Sequence, residues 1–107
     1  MSANFPRVIF GEKTDLCVQA TERDGTAFTI SAATVTIKNT STGTATRTAV
    51  SCTLDNTNLR ASYLETFSAA NGYAEDTTYT VTFKLTMSTA HIEKYEGRVT
   101  VNAANDE

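Results

Sequence analysis

Thr78 to Met87 reads TYTVTFKLTM, and this run decides the fold. Tyr79, Val81, Phe83, Leu85 and Met87 alternate strictly with Thr78, Thr80, Thr82, Lys84 and Thr86. Successive side chains of a strand point to opposite sides, so strict period-two alternation predicts a strand with one face buried and one face wet. A helix would space its apolar residues three and four apart. The apolar face explains itself as core. The threonine face has two readings: solvated surface that keeps copies from sticking edge to edge, or a flat contact against a neighbour.

The same alternation recurs on both sides of this run. Arg7–Phe10 predicts a short first strand, Thr14–Thr21 a clean second one and Ala27–Ile30 a short edge strand. In SAATVTIKN (31–39), Val35 and Ile37 face in while Thr34, Thr36 and Lys38 face out. Ala45–Leu54 reads as one long strand, Leu59–Leu64 as its return, and Ile92–Val101 as the last, with Tyr95, Val99 and Val101 on one face. Turn signals separate them: Gly11–Lys13, Asp24-Gly25, Asn39–Gly43, Asp55–Asn58 and Ser88–His91. Phe67–Thr77 has no period of two and leaves room for one helical turn, ended by Asn71-Gly72.

Seven to eight short strands with closely spaced turns and no long helix predict an all-β fold, a single immunoglobulin-like antiparallel β-sandwich. A small barrel is the alternative. Tyr79, at the start of a late strand and just after an Asp-containing turn, stands where such sandwiches place a tyrosine corner. The 107 residues make one domain. Residues 1–5 read as an N-terminal arm and 102–107 as a polar tail.

Bulk chemistry removes several classes of function. The net charge of −3 is mild, and the nine Lys and Arg residues are scattered along the chain. No basic stripe stands ready for a phosphate backbone, so no nucleic-acid partner is expected. No apolar run approaches the ~20 residues of a membrane-spanning helix, so no membrane partner is expected either. Threonine makes up one residue in five, a composition suited to exposed strand faces. MSANFPRVIF lacks the basic start and apolar stretch of a secretory signal, which predicts residence in the cytosol or exit by another route.

Reactive chemistry is sparse. His91 is the one histidine and falls in a predicted turn. Cys17 lies opposite the Leu16, Val18 and Ala20 face, whereas Cys52 shares a face with Val50 and Leu54. Opposite faces argue against a disulfide and leave no zinc set. Asp55 with Asn56 and Asn58, and Glu75 with Asp76, offer oxygens in principle, but hairpin turns account for them. Glu93 and Glu96 interleave with Lys94 and Arg98, which reads as charge pairing on a wet surface. The glycines form no phosphate-binding order, and the Asn39-Thr40-Ser41 glycosylation triplet stands without an export signal. The expectation is a protein without catalytic residues, cofactor or metal, working through surfaces and edges.

VQATERDGTAFTISAATVTIKN (18–39), TYTVTFKL (78–85) and YEGRVTVNA (95–103) resemble the small immunoglobulin-like domains of tailed-bacteriophage structural proteins. The N-terminal domain of phage baseplate upper proteins is the nearest named example, and the likeness runs from about Val8 to Ala103. It implies a non-enzymatic virion component, a capsid decoration protein or a neck or tail adaptor, assembled in the host cytoplasm. Such a protein would be present in many copies or as a homo-oligomer, and would touch other virion proteins. Contact would then run through Phe5, Val8, Ile9 and Phe10 and through the edge carrying Ala27, Phe28 and Ile30. For Ile9 and Phe10, first-strand core is an equal reading. The alternative is a carbohydrate- or surface-binding module of a phage tail or bacterial cell surface. There Tyr73, in the Ala-Asn-Gly loop, is the aromatic left to stack on a sugar.

Overall fold

The computed structural model describes residues 5–20 and 29–103. Among them run eight strands: β1 (Val8–Ile9), β2 (Lys13–Gln19), β3 (Ile30–Asn39), β4 (Ala45–Ser51), β5 (Thr53–Asp55), β6 (Arg60–Thr66), β7 (Thr77–Met87) and β8 (Ile92–Asn102). A single 3-10 turn, Ala69–Asn71, lies between β6 and β7. Two sheets form, one in the order β1-β8-β7-β3-β4 and one in the order β2-β6-β5. All ladders are antiparallel except the short parallel contact of β1 with β8, Val8 to Val101 and Ile9 to Asn102. This is an immunoglobulin-like β-sandwich. Of the expected edge strand Ala27–Ile30, Ile30 opens β3, while Ala27 and Phe28 lie outside the described residues.

The strand containing the threonine face, β7, is the middle of the larger sheet. Its inner residues Tyr79, Val81, Phe83, Leu85 and Met87 are all buried, and β3 supplies Ala33, Val35 and Ile37 beside them. Leu16, Val18 and Ala61 close the core from the other sheet. Excluding this much apolar surface from water is the main stabilising term of the fold. Tyr79 forms the tyrosine corner expected from its position: its hydroxyl accepts the Ala74 N–H at 3.0 Å.

The long strand expected over Ala45–Leu54 is two strands in different sheets. Ala49 has a φ of +46°, and the pairing of β4 with β3 shifts register around Ile37. Both raise local twist, as bulges do. At the crossover the Cys52 N–H donates to the Ala33 carbonyl at 3.0 Å, and the chain leaves to pair Thr53–Asp55 with β6. Leu54 faces inward across from Ala61 but stays 36% exposed at the sheet edge, so it is less buried than expected.

Glu93 corrects the expectation for the last strand. It is 3% exposed and shares the inner face with Tyr95, Val99 and Val101, while Lys94, Glu96 and Arg98 point outward. The Tyr95 hydroxyl donates to its carboxylate, and His91 Nε2 lies 3.6 Å from it. Cys17 and Cys52 are both free thiols. Burial pushes the Cys52 thiol up to about 11.

One end of the sandwich is tied together through side chains. Asn56 accepts the Ile30 N–H at 2.7 Å and donates to the Ile30 carbonyl at 3.1 Å. Ser88 accepts the Thr29 N–H through its hydroxyl at 3.1 Å and donates its own N–H to Thr29 at 2.8 Å. The Asp55 carboxylate accepts the N–H groups of Thr57 and Asn58 and the Asn58 amide. Those bonds hold it below the usual carboxylate range, and they make Asp55–Asn58 the turn that the sequence implies.

Candidate functional site

Most residues singled out as partner or ligand contacts are structural. Val8 and Ile30 are buried core, with 0% and 2% exposure. Phe5 stacks on Phe83 with ring centroids 5.9 Å apart, and Phe10 packs against the core while its N–H donates to Asn102. Ile9 is half-buried in the parallel contact with β8. Residues 5–10 therefore pack onto the sandwich, and residues 1–4 of the expected arm lie outside the described residues. A phenylalanine or valine beside an open sheet edge lowers the free energy most by entering the core.

Tyr73 is also buried, at 3% exposure, so its ring is not offered to a sugar. The chain turns tightly just before it, with Gly72 in the left-handed region at a φ of +90°. The Tyr73 ring then lies 4.6 Å from Phe67 and 5.0 Å from Tyr79, centroid to centroid. Its hydroxyl donates to Glu65 Oε2 at 2.7 Å. Arg47, reaching from β4 in the other sheet, holds the same carboxylate through Nε at 2.7 Å and Nη2 at 3.2 Å. The Thr66 N–H adds a fourth bond at 3.1 Å, and Arg47 Nε also faces the Tyr63 hydroxyl at 3.1 Å. Burial and the adjoining Glu65 carboxylate push the Tyr73 phenol upward, and the bond to Glu65 raises Arg47. This cluster clasps the two sheets. No buried side-chain nitrogen or oxygen among the described residues lacks a partner, so the interior polar groups are committed to the fold.

What remains open is the outer face of the five-stranded sheet. The register sets its side chains in rows. Lys94, Lys84, Thr34 and Ser51 lie side by side, then Glu96, Thr82 and Thr36, then Arg98, Thr80 and Lys38. Thr100 and Thr78 follow, their hydroxyls 3.0 Å apart, and the Thr80 hydroxyl meets that of Thr40 at 2.8 Å. Four cations and one carboxylate share this surface. They leave five cations against eleven carboxylates for the rest of the chain. The sequence scatters these cations, and only strand register gathers them. The outer face of the smaller sheet is balanced by contrast, with Lys13 and Arg60 against Asp15 and Asp55, and Arg60 directly opposite Asp55.

Residues 13–107 match the model of the CARDB family. No curated protein or solved structure gives a significant match. CARDB is an immunoglobulin-like β-sandwich found in cell-surface proteins, and that setting is compatible with a surface-binding or protein-interaction module. The match agrees with the architecture and carries nothing specific to phages.

Proposed function

We propose, for a chain that belongs to the CARDB family, a non-enzymatic role in attachment at a surface, through the outer face of the five-stranded sheet. One observation carries this reading. That face gathers exposed Lys38, Lys84, Lys94 and Arg98 around a field of threonines, whereas the buried polar side chains among the described residues already have partners within the fold. A rigid sheet presents such side chains at fixed spacing, which limits the entropy lost on binding.

The second reading is a virion protein present in many copies and assembled in the host cytoplasm. It rests on the resemblance of residues 18–39, 78–85 and 95–103 to phage immunoglobulin-like domains, and it makes the same face a contact with other virion proteins.

Labelled protein incubated with isolated bacterial envelopes tests the role of the face. Thr82→Trp places bulk at its centre without changing charge, and Ser62→Trp does the same on the smaller sheet. Attachment lost in the first variant and kept in the second supports the proposal. The reverse pattern overturns it. A closed oligomer in solution whose association is lost with Thr82→Trp would instead favour the virion reading.

A further inference from the structure

Lys84 and Lys94 are directly opposed in the β7–β8 register. Like charges in that position destabilise a sheet. Two residues further along both strands is Glu96 opposite Thr82, and two further still is Arg98 in one row with Thr80 and Lys38. At ~3.4 Å per residue the two cationic rows lie about 13–14 Å apart. Among the described residues Lys38, Lys84 and Arg98 enter no ion pair. The face thus concentrates positive charge on a protein whose net charge is −3.

Resting on the attachment role proposed above, we infer that the occupant of this face is an anionic polysaccharide. Its carboxylates would lie along the Lys84–Lys94 and Lys38–Arg98 rows and its hydroxyls on the threonines between. Three observations favour that class over other polyanions. No aromatic side chain projects from the rows, so neither bases nor the apolar faces of neutral sugars have a platform to stack on. Among the described residues the large apolar side chains on this face are Ile92 and half-buried Ile9, set apart near opposite ends of β8, too little to enter a lipid surface. Threonine hydroxyls, which both donate and accept, match the alternating hydroxyl and carboxylate groups of an acidic glycan. Recognition is therefore by charge and hydroxyl chemistry on a flat surface, and it weakens as salt screens the cations.

The test uses the full chain and polygalacturonate, a linear polymer with one carboxylate per sugar, followed by titration calorimetry at low and at physiological salt. Its methyl ester, a single-stranded oligonucleotide and vesicles of phosphatidylcholine with phosphatidylglycerol are the comparison ligands. Binding is expected to polygalacturonate alone, falling with salt, and to weaken on the order of tenfold in Lys84→Glu. The double variant Lys38→Glu, Arg98→Glu is expected to abolish it. Lys13→Glu makes the same charge change on the other sheet and is expected to bind as the parent does. Equal weakening by Lys13→Glu and Lys84→Glu would assign the effect to net charge and overturn the inference. So would equal binding of the methyl ester, preference for the oligonucleotide or vesicles, or no binding at all. If polygalacturonate fails while Thr82→Trp still abolishes envelope attachment, the ligand class is wrong and the attachment face stands. If Thr82→Trp leaves attachment intact, the attachment face itself is wrong.

Discussion

Replacing Tyr73 by Phe removes one oxygen from the clasp between the sheets and leaves both ring contacts in place. The lost bond runs from a buried phenol to a carboxylate at 2.7 Å. A hydrogen bond to a charged group contributes roughly 1.5–3 kcal/mol. The lower half of that range applies, because Glu65 keeps both bonds from Arg47 and one from Thr66. A loss of about 1.5–2 kcal/mol follows, and at ~2.1 cal/mol/K per residue a chain of 107 residues should melt about 7–9 °C lower.

Thermal and urea melts followed by circular dichroism measure this, with an unchanged urea slope marking a true stability effect. Alkaline pH gives a second, independent readout. The folded-state phenol of Tyr73 is raised above its ordinary value, so its contribution is whole below that value, near pH 10, and is lost as pH rises past it. The advantage of the parent over Tyr73→Phe should therefore shrink above about pH 10. A variant that melts within ~2 °C of the parent, with the same alkaline limb, would refute a stabilising role for the Tyr73–Glu65 bond in the clasp.

Three further substitutions probe other parts of the fold. Gly72→Ala forces a side chain into a φ of +90° with its Cβ 3.3 Å from the Thr46 methyl; a loss of about 1–2 kcal/mol is expected from urea melts. Asn56→Ala removes both bonds to the Ile30 backbone, at about 1 kcal/mol each, and hydrogen exchange at the Ile30 amide should accelerate. Cys52, with its thiol pushed up to about 11, should resist iodoacetamide at pH 8 until denaturant opens the core. Its stabilising share is complete below about pH 9 and is lost between that value and about 11; Cys52→Ala should flatten stability across this window.

The sandwich was legible because its signals are local. The period of two in β7, the Asp-Asn turn after β5 and the tyrosine at a strand start each act within a few residues. The break at Cys52 was not, since apolar phase continues through Val50, Cys52 and Leu54 and only the competing partners β3 and β6 split it. Glu93 was legible and misread. It sits in phase with Tyr95, Val99 and Val101, and strand phase here outweighs the tendency of a carboxylate to stay in water. Tyr73 lies in a segment without periodicity, and its partners are Glu65, eight residues earlier, and, through Glu65, Arg47 from the other sheet. No sequence spacing announces such a cluster. The cationic face was hidden for the same reason: Lys38, Lys84, Lys94 and Arg98 come from three strands, and strand pairing is the information that periodicity lacks.

The register also separates two explanations for those lysines. If Lys84 served the fold, changing it to Glu would remove a useful side chain and lower stability. If it is held there for a ligand, the same change turns a repulsive pair with Lys94 into an attractive one. Cross-strand charge pairs are worth roughly 0.2–1 kcal/mol, so Lys84→Glu should raise the melting temperature by about 1–4 °C at low salt. That gain should shrink as screening increases, while binding to polygalacturonate falls. Stability and binding moving in opposite directions under one substitution is the mark of a residue kept at a cost to the fold. A Lys84→Glu protein that melts lower than the parent at every salt concentration would show instead that Lys84 supports the sheet.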